Sequence, residues 1–173
     1  MKKLKAPRST YCCIISVAVL ILAAIAGVQA QGIAKTRKAT KQVPIVLFVC
    51  EHGSAKSVIA AAHFNKLARE RNLKLRAISR GTNPDEEIAP KAAEGLEADG
   101  LAVGQEKPKR LSRADVSRGI RVVAFCELPD AYSKGVRVEQ WNDMPAVSED
   151  YNKARDAIVE RVRHLLDELR SAK

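Results

Sequence analysis

Aromatic residues are scarce: Phe, Trp and Tyr make up 4% of the 173 residues. A core built from this chain must therefore be mainly aliphatic, from Ala, Val, Ile and Leu. Cysteine is sparse too, at four residues, which excludes a disulfide-dense scaffold. No Cys and His residues fall at zinc-finger spacing, no basic stripe is interleaved with aromatics, and no segment repeats. The marks of a nucleic-acid-binding protein are thus missing. Long apolar runs are confined to one near the N-terminus, which excludes a multi-span membrane protein. Hydrophobic residues reach 46% and charged residues 29%. That is enough apolar surface for a core and excludes a disordered or collagen-like chain. The length fits one domain.

Residues 1–30 stand apart. Lys2, Lys3, Lys5 and Arg8 form a basic start without an acid, and Cys12 to Val28 is apolar except for Ser16. Val28-Gln29-Ala30 then places small residues where signal peptidase reads. The pattern predicts a secretory signal peptide over 1–30 and an exported protein, periplasmic or secreted. The alternative is an uncleaved membrane anchor over residues 12–28; contact with a membrane is expected only in that case. Cys12 and Cys13 lack a Leu-x-x-Cys lipoprotein context and read as bulk apolar residues. Cleavage after Ala30 removes four cations and lowers the net charge from +10 to +6. Residues 31–43 are polar, basic and unpatterned, a linker. The folded domain is expected over 44–173.

That domain alternates strand and helix. Ile45 to Val49 is a continuous apolar run, β-branched at three of five positions, and reads as a strand buried on both faces. Ser57 opens a helix to about Arg71, with Ala60, Phe64 and Leu67 on one face. Leu73 to Ser79 reads as a second strand. Pro90 starts a helix that stops at Asp99-Gly100. Ser112 and Asp115 form a capping box for a short helix. Ile120 to Phe125 is a third strand and Val136 to Trp141 a short fourth. A last helix starts after Ser148-Glu149-Asp150, with Tyr151, Ala154, Ile158, Val162, Leu165 and Leu169 as its apolar stripe. His63 and His164 fall on helices and read as structural or exposed. The order implies right-handed crossovers and a four-stranded parallel sheet between helices, a three-layer α/β/α sandwich. Ligands bind beyond the carboxyl ends of such strands. There the loops Cys50–Ser57, Ser79–Pro84 and Cys126–Ser133 meet, and Trp141–Pro145 can reach the same rim.

The chemistry lies in the first of these loops. Cys50 ends a buried strand, and Lys56-Ser57 follow just before a helix. A tight loop feeding a helix N-terminus aims backbone N–H groups inward and forms an oxyanion cradle. The same field favours a thiolate at its base. Ser57 could donate to that sulfur and Lys56 could neutralise a bound dianion. A buried structural cysteine before an ordinary strand–helix turn is the competing reading. No metal or organic cofactor is implied.

Val46-Leu47-Phe48-Val49-Cys50, the stretch on to Lys56-Ser57, and Ala60-Ala61-Ala62 resemble the signature of the low-molecular-weight phosphotyrosine phosphatase superfamily, which carries Cys-x5-Arg-Ser here. Ile78-Ser79-Arg80-Gly81-Thr82 is similar to its second-strand Ser-Ala-Gly-Thr motif. Pro84, Pro90, Leu96, Gly100, Lys107-Pro108-Lys109, Leu111-Ser112 and Cys126 resemble the arsenate reductase branch, as does Trp141-Asn142-Asp143-Met144-Pro145. The resemblance covers about residues 44–169 and implies that family's α/β/α fold. It also implies roles: Cys50 as nucleophile towards phosphorus or arsenic, the backbone of Glu51, His52, Gly53, Ser54, Ala55, Lys56 and Ser57 as oxyanion cradle, Asp143 as general acid, and Cys126 as a second, redox thiol.

The chain departs from the family pattern at several points. Lys56 stands where the family has Arg, so a point charge replaces a planar fork. Gly53 stands where it has Asn, Ser133 at the place of a further redox cysteine, and Ala55 at that of a second loop cysteine. Arg80 takes the place of a small residue and could return a guanidinium to the oxyanion. Ala146 and Val147 follow Pro145 where the phosphatase branch has aromatics. His52 could contact substrate or face solvent. Three functions stay open: an arsenate-reductase-like enzyme with a thiol reductant as partner, a phosphomonoester hydrolase, and a non-catalytic oxyanion-binding domain. Export weighs against the first, since an oxidising compartment lacks the thiol pool it needs.

Overall fold

The computed structural model describes residues 42–101 and 107–172. The expected signal peptide over 1–30, with Cys12 and Cys13, and nearly all of the linker lie outside the described residues.

The elements follow the alternation read from the sequence: β1 (Ile45–Cys50), α1 (Lys56–Glu70), β2 (Arg76–Gly81), α2 (Pro90–Ala98), α3 (Arg113–Arg118), β3 (Gly119–Ala124), α4 (Asp130–Ser133), β4 (Val138–Gln140) and α5 (Tyr151–Ser171). The strands pair in parallel, in the order β2-β1-β3-β4. β1 is central, and alternation splits its side chains between two cores. Val46, Phe48 and Cys50 pack with α1, α2 and α5, while Leu47 and Val49 pack with Val116 of α3, Leu111 and Leu128. A strand buried on both faces needs no polar residue, which is why Ile45–Val49 has none. The α/β/α sandwich and four-stranded parallel sheet are therefore as expected.

Three local details differ from the sequence reading. β2 starts at Arg76 rather than Leu73, because the chain leaves α1 through Asn72 at φ 54° and Leu73–Leu75 form the turn that re-aims it. Asp130–Ser133, read as loop, is a one-turn helix. The core is less purely aliphatic than composition implied: Phe48, Phe125 and Trp141 stack on one another at 5.7–6.4 Å between ring centroids, and Phe64 meets Phe48 at 5.9 Å. Phe48, Phe64, Phe125 and Trp141 thus share one of the two cores.

The predicted ends of the helices hold. Ser112 accepts from the Asp115 N–H while Asp115 accepts from the Ser112 N–H, a capping box. Asp150 caps α5 by accepting from the Lys153 N–H. α2 gives way to Gly100 at φ 71°. Among the described residues no helix is long and apolar enough to cross a membrane.

Candidate active site

Strand ends build the site. β1 delivers Cys50, β2 delivers Gly81, and β3 runs out at Ala124 just before Phe125 and Cys126. The Cys50 loop is zipped to the segment after β2. The N–H groups of Thr82, Asn83, Asp85 and Ala89 donate to the carbonyls of Cys50, Glu51, His52 and Ser54, at 3.1, 2.8, 3.0 and 3.0 Å. With these carbonyls turned outward to the neighbouring segment, the loop's N–H groups are left for its inner side.

Gly53 makes the turn. Its φ is 62°, and an added Cβ would stand 2.8 Å from the Gly81 nitrogen; a Cβ on Gly81 would meet the Gly53 nitrogen at the same distance. Both glycines are thus required by one close backbone approach. The turn lets the Gly53 N–H donate to Cys50 Sγ at 3.2 Å. Ser57 Oγ lies 3.1 Å from the same sulfur, and Ser57 is fully buried beneath it. Cys50 itself is 8% exposed, at the floor of a cleft of about 630 Å³. The N-terminus of α1 opens at this floor. Its N-cap, Ala55, provides no side-chain hydrogen bond, and its first turn holds no acid. The Val58 N–H already donates to the Ala55 carbonyl at 3.0 Å, but no side chain caps the N–H groups ahead of it, the condition for an anion site.

Glu51, His52, Ser54, Ala55, Lys56 and Cys126 line the cleft with Cys50. Lys56 also ties the loop to the segment after β4, donating from Nζ to the Met144 carbonyl at 2.7 Å. The Cys126 thiol is pushed up to about 11, by burial first and then by Cys50 and Glu51, against a hydrogen bond with Thr82. Cys50 and Cys126 are both free thiols.

The structure does not bring two of the sequence-derived site residues into the cleft. The Asp143 carboxylate is exposed and paired with Arg161 of α5. The Arg80 guanidinium holds Asp115, from Nε and Nη2 at 3.0 Å each, and donates from Nη1 to its neighbouring Ser79 carbonyl at 2.7 Å. Burial raises the Asp115 carboxyl, but Arg80 and Ser112 outweigh it and hold the group below the usual carboxylate range. Arg80 is therefore the partner of the α3 capping box, and it faces away from Cys50 because alternation along β2 sends it to the other side of the sheet from Gly81.

Several lining residues escaped the sequence reading, namely Asp85, Lys91, Phe125 and Ser148, while Ala146 and Val147, noted there as small residues in place of aromatics, form part of the wall. Asp85 accepts from Ser54 Oγ at 2.5 Å and meets His52 Nδ1 at 3.1 Å. Lys91 donates to the Ser148 carbonyl at 2.5 Å. Pro84 placed the Asp85 segment at the rim, but nothing in its spacing marked the carboxylate. Among the described residues no group of three or more His, Cys, Asp or Glu is placed to hold a metal ion.

Comparison with known proteins agrees with this geometry. The profile of the low molecular weight phosphotyrosine protein phosphatase family matches residues 45–173. No curated protein matches the sequence. Among solved structures, YfkJ from Bacillus subtilis superposes with a TM-score of 0.68 at 18% identity, covering 78% of this chain and 99% of its own. A thioredoxin-dependent arsenate reductase of Corynebacterium glutamicum gives 0.61 at 23% identity, covering 79% of this chain and 66% of its own. An arsenate reductase of Archaeoglobus fulgidus gives 0.59 at 28% identity, covering 70% and 98%.

Proposed function

The chain belongs to the low molecular weight phosphotyrosine protein phosphatase family, and from that premise we propose that it hydrolyses phosphomonoesters through a phosphocysteine. The observation that supports this most is the hydrogen bonding at Cys50: its sulfur meets the Gly53 N–H at 3.2 Å and the Ser57 hydroxyl at 3.1 Å, at the floor of a cleft with Lys56. The Gly53 N–H, the Ser57 hydroxyl and the N-terminus of α1 hold the sulfur in place for attack. The Cys50 thiolate attacks phosphorus, the bond to the leaving oxygen breaks, and that oxygen takes up a proton. Water then attacks phosphorus, the S–P bond breaks, and phosphate leaves with the thiolate restored. The loop N–H groups and Lys56 hold the equatorial oxygens as their charge builds. The small wall Ala146-Val147 suits a substrate not clasped between aromatic rings.

Arsenate reduction is a second reading, because Cys126 lines the same cleft as Cys50. In it the Cys50 thiolate bonds arsenic with loss of water. Cys126 then attacks the Cys50 sulfur, arsenic(V) leaves as arsenic(III), and an external dithiol reduces the resulting disulfide. Hydrolysis is favoured over it, since a Cys126 thiol pushed up to about 11 is a poor nucleophile near neutral pH. Export, which the N-terminal 30 residues imply, favours hydrolysis for the same reason of thiol supply.

The test uses the purified chain with an aryl phosphate, and separately with arsenate plus a dithiol. Hydrolysis lost in Cys50→Ser and kept in Cys126→Ser is the expected result. Arsenate turnover that needs both cysteines would favour the reductase. Oxyanion binding without turnover would leave only a binding domain.

A further inference from the structure

We propose that His52, oriented by Asp85, is the proton donor and acceptor for the chemistry at Cys50; the proposal rests on the phosphatase reading above. The family resemblance places that role on Asp143, but this carboxylate is engaged by Arg161 and is not part of the cleft wall. His52 is part of that wall, as is Asp85. The two residues are tied at two points. The Asp85 N–H donates to the His52 carbonyl at 3.0 Å, and Asp85 Oδ1 meets His52 Nδ1 at 3.1 Å. The other oxygen of Asp85 is fixed from below by Ser54 Oγ at 2.5 Å, and Ser54 is 2% exposed. A buried hydroxyl thus anchors a carboxylate, which anchors an imidazole on the wall of the cleft that Cys50 also lines. The arrangement is that of a base oriented by a third group.

The tie decides which nitrogen works. With Nδ1 donating to Asp85, Nε2 is the nitrogen left for the substrate. The other charged or titratable groups at the cleft are Glu51, Lys56, Lys91, Cys50 and Cys126. Glu51 lies 3.9 Å from Nε2, while Lys56 and Lys91 are held by main-chain carbonyls. In the first step the Nε2 proton passes to the leaving oxygen as the S–P bond forms and the P–O bond breaks. In the second step neutral Nε2 takes a proton from water as its oxygen attacks phosphorus and the S–P bond breaks. Protons and electron pairs balance over the cycle without a co-reactant. Histidine suits both steps because one ring nitrogen can give up a proton in the first and take one back in the second.

The experiment compares p-nitrophenyl phosphate, whose leaving group needs little help, with phenyl phosphate, whose leaving group needs a proton. In the full chain, His52→Gln should lower kcat/KM, which reports the first step, on phenyl phosphate by about 100-fold or more, and on p-nitrophenyl phosphate by less than about 10-fold. It should also change the shape of the pH profile of kcat/KM on phenyl phosphate. Asp85→Asn, a change in a positioning residue, should cause a smaller loss with the same leaving-group dependence. Competitive inhibition by inorganic phosphate should persist in both variants, which shows that the loop is intact. An equal loss of kcat/KM on both substrates, loss of phosphate inhibition, or a leaving-group-dependent loss carried by Asp143→Asn instead overturns the proposal. Failure of the phosphatase reading looks different: the wild-type chain would turn over neither ester, or Cys50→Ser would stay active, and the role of His52 falls with it.

Discussion

At the scale of single residues, the cation of the loop is the sharpest departure from the family pattern. An arginine would make two charge-assisted bonds to the oxyanion where Lys56 makes about one, and each is worth roughly 1.5–3 kcal/mol. The structure removes the other guanidinium from consideration, since Arg80 is spent on Asp115. Lys56→Arg should therefore raise kcat/KM for aryl phosphates by about 10- to 100-fold. Arg80→Ala should instead lower stability by roughly 1.5–3 kcal/mol, the loss of hydrogen bonds to a charged and largely buried partner. Steady-state kinetics and urea unfolding on the two variants check this division. A drop in oxyanion affinity in Arg80→Ala, with stability unchanged, would restore Arg80 to the site. Cys50, Lys56 and Ser57 were legible in the sequence because their spacing within one loop is itself the geometry. Asp85 was not, because its meaning comes from Ser54 and His52, about thirty residues away along the chain.

At the scale of elements, α2 meets α5 through a glycine. Gly95 faces the ring of Tyr151, and a Cβ there would lie 2.3 Å from ring carbons. Tyr151 in turn donates its hydroxyl to Asp99 at 2.7 Å, next to the end of α2. Alanine is the better helix former by about 1 kcal/mol. The clash opposes this with an overpacking cost of about 1–3 kcal/mol and displaces the Tyr151–Asp99 bond. Gly95→Ala should therefore lower Tm, measured by thermal unfolding; a rise would show that the ring swings out freely. The sequence reading placed Tyr151 on the apolar stripe of α5 correctly but had no means of pairing it with Gly95. Helix ends were readable, since the Ser112–Asp115 and Asp150 caps and the Gly100 stop act within a few residues. The start of β2 was not, because Leu73–Leu75 alternate like a strand yet lie in a turn set by Asn72.

For the whole molecule, stability couples to pH through His63, which is buried where α1 faces α5 and Asp99. Its Nε2 lies 3.3 Å from Asp99 Oδ2, outside hydrogen-bond geometry, while Arg155 and Tyr151 hold the Asp99 carboxylate. Burial lowers the imidazole below its ordinary value of 6.5, and the attraction of Asp99 only partly offsets this. The unfolded chain therefore binds the proton more readily than the folded one. Stability from this group is full above 6.5 and is lost as pH falls from there through the lowered folded value. Urea midpoints at pH 7 and pH 5 should show a smaller drop for His63→Gln than for the wild-type chain. An unchanged drop would place the acid sensitivity elsewhere.

By itself the sequence determined the order of the elements apart from the one-turn α4, the two-faced burial of β1, the caps and stops of the helices, and the Cys50 loop. All of these are local: a strand, a turn or a helix end depends on residues within a few positions, so their pattern survives in one dimension. The tertiary structure decided which rim residues share the cleft. It put Asp85 and Lys91 in one cleft with Cys50 and Cys126, and it turned Arg80 to Asp115 and Asp143 to Arg161. The physical reason is strand pleat and register. A side chain at a strand end faces one side of the sheet or the other according to its position, and each charge then pairs with the nearest opposite charge on an element that packs there.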